Sequence, residues 1–222
     1  MSTITAGKPV GFSDRFAVRT LFEWGGFLAA AILIAFGVVA IVMGFSGRAT
    51  VSDSLKLEKI VGSPDMTPAL IAKEAKDAGL TGVTLPTCNV ADQPIDNGPR
   101  ARCFAQYMRI HTLEASGGFT YAQMGRFQAL PNTPKSQLAS PGSTNNDKYA
   151  VIDTKTNQPV SNGARNLWVT ETALTTALNT SYMADRLGLF GIVVGVALLL
   201  SGIGFAILAF AALHRKRTAA AA

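Results

Sequence analysis

The sequence predicts a mainly α-helical fold: a two-span transmembrane hairpin carrying a mostly helical extracytoplasmic domain with one short β-hairpin and one disulfide. Three observations predict it. The 222 residues are 48% apolar and only 15% charged, where an ordinary soluble domain carries about 25% charged residues. The deficit sits in two uncharged blocks, residues 24–47 and 187–213, each longer than the roughly 20 residues that cross a ~30 Å hydrocarbon layer. The two cysteines, Cys88 and Cys103, both lie between the blocks. This composition excludes a freely soluble enzyme, and residues 48–186 are enough for one compact domain.

The first segment, 1–23, carries Lys8, Arg15 and Arg19 against Asp14 and Glu23. The apolar run that follows, 24–47, exceeds the 7–15 residues of a signal peptide, and 43–48 offers no convincing small-x-small cleavage site, so it reads as an uncleaved anchor. The last segment, 214–222, is basic and then alanine-rich, with Arg215, Lys216 and Arg217 and no acid. Most of the net charge of +6 therefore flanks the spans, where it suits anionic headgroups rather than nucleic acid. Long central loops are exported largely regardless of charge, so both termini are expected in the cytoplasm of a plasma-membrane, multi-pass protein. Arg48, Lys56 and Lys59 weaken that charge bias, which makes the cysteines the independent evidence.

In an exported compartment an isolated cysteine pair 15 positions apart reads as a disulfide, worth ~3 kcal/mol by loop closure. Two buried free thiols remain the alternative. A two-cysteine zinc site lacks partners, because the segment offers one histidine.

Along the central segment, the first helix is expected to continue to about residue 60 as a stalk. Thr67-Pro68 is an N-cap followed by proline at the first helical position, and opens a helix to about residue 78 that Gly79 stops. Its apolar face is Leu70, Ile71, Ala75 and Ala78; Lys73, Glu74, Lys76 and Asp77 read as its solvated face. Residues 79–99 are irregular. A third helix spans 100–115, with Cys103, Tyr107, Ile110 and Glu114 at helical spacing. Residues 128–148, rich in Pro, Ser, Thr and Asn, read as a mobile loop. Residues 149–153 and 159–160 form the hairpin. A helix from residue 164, with Leu167, Leu174 and Leu178 on one face, feeds the second span without a breaker.

Within the spans small residues recur at near-heptad spacing: Gly26, Ala30, Gly37, Ala40 and Gly44 in the first, Gly188, Gly191, Gly195 and Gly202 in the second. Close backbone approach through such residues is how helices pair in lipid. The stripes either face each other within the chain or bind a second copy or another membrane protein. Neither span holds an ionisable residue, which counts against a charged-substrate pathway.

Catalytic candidates are sparse. His111 and Glu114, three apart on the third helix, are spaced to act as a metal or acid/base pair; a surface or core histidine is the plainer reading. No catalytic, cofactor-binding or metal residue and no cofactor is assigned. His214 adjoins the tail, so a two-histidine carboxylate iron site has no second histidine on the exported side. No phosphate loop, dinucleotide fingerprint or CxxC is present.

The stretches FSDRFAVRTLFEWGG, PRARCFAQYMRIHTLEA and GARNLWVTETALTTALNTSYMA resemble a family of uncharacterised actinobacterial two-span membrane proteins over nearly the whole chain. Members are sometimes labelled as a subunit of an aromatic ring-opening dioxygenase, a label the histidine placement speaks against. The resemblance implies a bacterial plasma membrane with an oxidising outer face. The expected role is a non-enzymatic accessory or interaction subunit of the envelope. Its partners are the lipid bilayer and either another membrane protein or a second copy of itself, met through the small-residue helix faces. Two alternatives are a homo-oligomeric two-span channel, for which Ser46 and Ser201 are the only hydroxyls in the spans, and an exported enzyme centred on His111.

Overall fold

The computed structural model describes the backbone of residues 12–220 and the side chains of residues 24–211. Four helices, α1 (Phe12–Leu57), α2 (Pro68–Asp77), α3 (Gly98–Ala115) and α4 (Gly163–Ala220), are joined by irregular segments and one small sheet. The charge assignments made for residues 1–23 and 214–222 fall on side chains outside the described set. The chain divides into two units, Met1–Gly47 with Leu187–Ala222, and Arg48–Arg186.

In the first unit α1 and α4 pack along their small residues. A Cβ on Gly37 would stand 2.8 Å from the Gly195 carbonyl oxygen, and one on Gly195 would stand 2.7 Å from that of Gly37. Gly44 meets the Gly188 carbonyl at 2.6 Å and Gly202 meets Ile34 at 2.7 Å in the same sense. These distances are below any real Cβ contact, so only glycine permits them. Ala30 is buried in the same seam. Gly26 opposes Ala209 at 3.5 Å, while Gly191, 3.6 Å from the Ala40 oxygen, sits at ordinary contact distance. The two stripes thus face each other within one chain. Phe27 and Phe210 add an edge-to-face pair at 5.4 Å, a favoured aromatic geometry.

A bulky side chain in this seam has nowhere to go. Cysteines placed at Gly26 and Ala209 are within disulfide reach, and are expected to cross-link on oxidation in an otherwise unchanged chain. Adding Gly195→Leu is expected to abolish that cross-link, whereas Gly204→Leu, whose Cβ meets nothing within 4 Å, leaves it intact. Gel mobility before and after reductant reads the difference.

The second unit is built around α3. Its buried side chains Ala101, Cys103, Phe104, Tyr107, Ile110 and Leu113 meet Ile71 and Ala75 of α2, Val90 and Ile95 of the irregular segment, Leu55 of α1, and Trp168 and Leu178 of α4. Helix α2 starts where Thr67 Oγ1 accepts from the Leu70 amide at 3.3 Å, and ends before Gly79 in a left-handed conformation, φ +66°. Helix α3 starts at Asn97, whose side chain accepts from the Arg100 amide at 3.0 Å. Its first residue must be small: a Cβ on Gly98 would stand 2.6 Å from that of Asp185. Buried Asp185 is ion-paired to Arg48 at 3.0 Å.

Three expectations are corrected here. The expected face of α4 holds at Leu178, which is buried, and at Leu174, which packs partly buried against the core, but Leu167 is 39% exposed and Trp168, 3% exposed, stands in its place. Buried positions 168, 171, 178 and 185 step by three and seven, with an indole at the first of them. Glu74, expected on the wet face of α2, is partly buried. Residues 128–148 are not a featureless loop. They supply most of a sheet of order β1-β3-β2 from Phe127–Gln128 (β1), Leu138–Ser140 (β2) and Ser143–Thr144 (β3).

That sheet is antiparallel, with Phe127 opposite Thr144 and Leu138 opposite the same threonine. Its interior is polar: Ser143 Oγ accepts from the Gly125 amide at 2.9 Å and lies 2.6 Å from Ser140 Oγ, while Thr144 donates to the Gln137 carbonyl at 2.7 Å. Strands of two or three residues held by hydroxyls carry no apolar alternation to read. The expected hairpin is present as the pair Ile152 and Pro159, and isolated bridges link it to the sheet at Phe127, opposite Ser161, and just beyond at Ala129, opposite Ala150.

Candidate functional site

Two elements place chemistry side by side. The turn that leads into α2 is closed by the Met66 amide on the Ser63 carbonyl at 3.0 Å and the Thr67 amide on the Asp65 carbonyl at 2.7 Å, which fixes Asp65. Nearly two turns into α2 stands Glu74. Across from both, α3 presents His111, with the buried Tyr107 one turn earlier and the buried Ile110 beside it.

His111 Nε2 lies 3.1 Å from Asp65 Oδ2 and 3.6 Å from Glu74 Oε1. One ligand atom from each of the three side chains falls within 4.8 Å of the others. The His111 Nε2 and Asp65 Oδ1 atoms are shielded from solvent and make no aligned hydrogen bond. Glu114, three residues beyond His111, hydrogen-bonds Glu74 rather than pairing with the imidazole.

The electrostatics follow from crowding carboxylates. Burial first, then the hydrogen bond and repulsion from Glu114 and repulsion from Asp65, push the Glu74 carboxyl up to about 7. The Ser63 hydroxyl is the largest influence on Asp65; it outweighs burial and holds that carboxyl below its ordinary range, with the Asp65 amide and His111 assisting. Burial, then the Asp65 charge, raises the Tyr107 phenol.

A carboxyl raised from 4.5 to about 7 keeps a proton in the folded state that the unfolded chain has already released. The stabilisation from that proton is complete below about pH 4.5 and is lost as pH rises through about 7. The shift on Asp65 acts at lower pH, outside this window. With divalent ions chelated, the melting temperature is expected to fall between pH 5 and pH 7.5, and Glu74→Gln is expected to flatten that fall. Asp65, Glu114 and His111, which face Glu74, are common to both proteins. Equal pH slopes in both would exclude the assignment.

The sequence-predicted disulfide is formed, Cys88 to Cys103, with Cα atoms 6.1 Å apart. Tyr107 donates to the Cys88 carbonyl at 2.6 Å, so bridge and phenol together fasten the irregular segment to α3. Of the site residues, sequence reading found His111 and Glu114 as a pair but missed Asp65 and Glu74. Both come from distant positions, and nothing local marks a carboxylate on a charged helix face as facing inward.

No family model, curated protein or solved structure matches this chain.

Proposed function

We propose that the chain is a non-enzymatic, two-span protein of the bacterial plasma membrane, an accessory or interaction subunit that holds the 48–186 unit outside the cell with both termini in the cytoplasm. The observation that carries this reading is the surface of the first unit. The segments Trp24–Leu57 and Gly163–Ala211 are long and apolar enough to cross a membrane, and most of their large side chains point away from the pair. Phe36, Met43, Phe190 and Leu208 are each more than 60% exposed. In water every Å² of such surface is unfavourable by ~25 cal/mol, whereas lipid tails solvate it. The Cys88–Cys103 bridge suits an oxidising compartment and so supports the outward placement of its unit.

With the glycine seam filled by the chain's own second helix, a companion protein or second copy meets the 48–186 unit or the outer helix faces. The resemblance to two-span actinobacterial membrane proteins supports the plasma-membrane location.

Topology and partnership are tested together in intact cells. A membrane-impermeant maleimide is expected to label a cysteine at the exposed Lys155 and to spare one at Thr218. Affinity purification in mild detergent is expected to bring down a stoichiometric companion or a homo-oligomer. Labelling at Thr218 alone, or a lone monomer, would overturn the respective half of the proposal.

A further inference from the structure

We propose that Asp65, Glu74 and His111 form a binding site for a divalent first-row transition cation of the Zn²⁺ class. The geometry is that of a chelate. Donors held 2.0–2.1 Å from a tetrahedral zinc lie about 3.3–3.4 Å from one another, and the two distances to the His111 nitrogen, 3.1 and 3.6 Å, bracket that value. The three donors come from the Ser63–Thr67 turn, α2 and α3, so the site is assembled by the fold and a bound ion would tie these elements together.

The donor set selects the class of ion. An imidazole nitrogen with two carboxylates suits Zn²⁺, Mn²⁺ or Fe²⁺, whereas Ca²⁺ and Mg²⁺ prefer all-oxygen shells and Cu⁺ prefers thiolates. Both cysteines are committed to the disulfide. A second observation points the same way. The His111 ring nitrogen is shut off from water and stands between two carboxylate oxygens without an aligned hydrogen bond, where a cation on its lone pair or a proton shared with Asp65 would satisfy it. Glu114, bonded to Glu74, orients that ligand as outer carboxylates do in metal centres. The competing explanation is an imidazolium ion pair that needs no metal, and the two differ in a measurable way.

The experiment uses the full chain without a polyhistidine tag, in mild detergent, stripped with chelator and dialysed. Titration with Zn²⁺ by calorimetry is expected to give one saturable site per chain and a rise in melting temperature. His111→Gln and Glu74→Gln are each expected to weaken binding by about tenfold or more, while His214→Gln leaves it unchanged. Ca²⁺ is expected to bind more weakly than Zn²⁺. Should His111→Gln fail to fold by circular dichroism, Glu74→Gln, which keeps the shape and removes one charge, carries the comparison. Absence of saturable Zn²⁺ binding, affinity unchanged in Glu74→Gln, or preference for Ca²⁺ would each overturn the proposal. The first of these, with a stable wild-type fold, identifies the ion pair alone. None of these outcomes depends on which side of a membrane the unit occupies.

Discussion

Trp168→Ala is expected to destabilise the 48–186 unit by about 3–5 kcal/mol, the range for emptying a buried large aromatic site. The indole does more than fill space. Its Nε1 donates to the Phe119 carbonyl at 2.8 Å and to Ser116 Oγ at 3.2 Å, just past the C-terminus of α3, and the Arg109 guanidinium lies over the ring at 5.4 Å. One side chain on α4 thereby fills part of the core, satisfies the exit of α3 and stacks a cation. Trp168→Phe keeps much of the volume and loses the indole donor, while the Phe119 carbonyl still accepts from the Ser116 hydroxyl at 2.7 Å. It should therefore destabilise less, by about 1–3 kcal/mol. Denaturant unfolding followed by circular dichroism separates the two variants. A Trp168→Ala protein within 1 kcal/mol of the parent would show that α4 packs differently on α3.

The second large effect is at the bridge. Replacing Cys88 and Cys103 together by alanine is expected to lower stability by about 3 kcal/mol, because the unfolded chain regains the freedom of a loop of some 15 residues whose ends the bridge had joined. Reductant should reproduce the loss in the parent and have no effect on the double variant. The irregular segment 79–97 has other fastenings besides the bridge, among them Leu80, Val83 and Leu85 packed against the core. It also relies on the Tyr107 hydroxyl on Cys88, on Val90 and Ile95 in the core, and on backbone bonds near Gly62, where a side chain would collide with the Val90 carbonyl. Tyr107→Phe in the alanine background tests whether phenol and bridge act on the same segment. Their combined effect should then differ from the sum of the separate ones.

Much of this architecture is readable without coordinates because it rests on local or composition-level signals. Uncharged length marks the apolar stretches of α1 and α4. Thr67-Pro68 announces the start of α2 by chemistry that acts within three residues, and a lone cysteine pair has one way to join. Glycine spacing in the apolar helices also carries over to contacts, because the opposing helix comes closest where a side chain is missing. The polar sheet around Ser143 and Thr144 is illegible for the opposite reason: its order comes from hydroxyls that look like loop composition. Trp168 stands one position from Leu167, the leucine that the spacing favours. The cluster at His111 was half seen, since its partners Asp65 and Glu74 are neighbours through tertiary packing, and Glu74 sits among charges that are themselves solvated.

The interlock between α1 and α4 has a mechanical meaning. The gaps at Gly37, Gly44, Gly195 and Gly202 accept the opposing backbone and Ile34, Ile41 and Ile192, and on each helix the paired glycines Gly37 and Gly44, or Gly195 and Gly202, are seven residues apart. A slip of one helical turn, 5.4 Å, would drive isoleucine into filled space. Only a displacement of two turns finds matching notches again. These two rods are keyed against piston motion, so any force along one of them is carried by both.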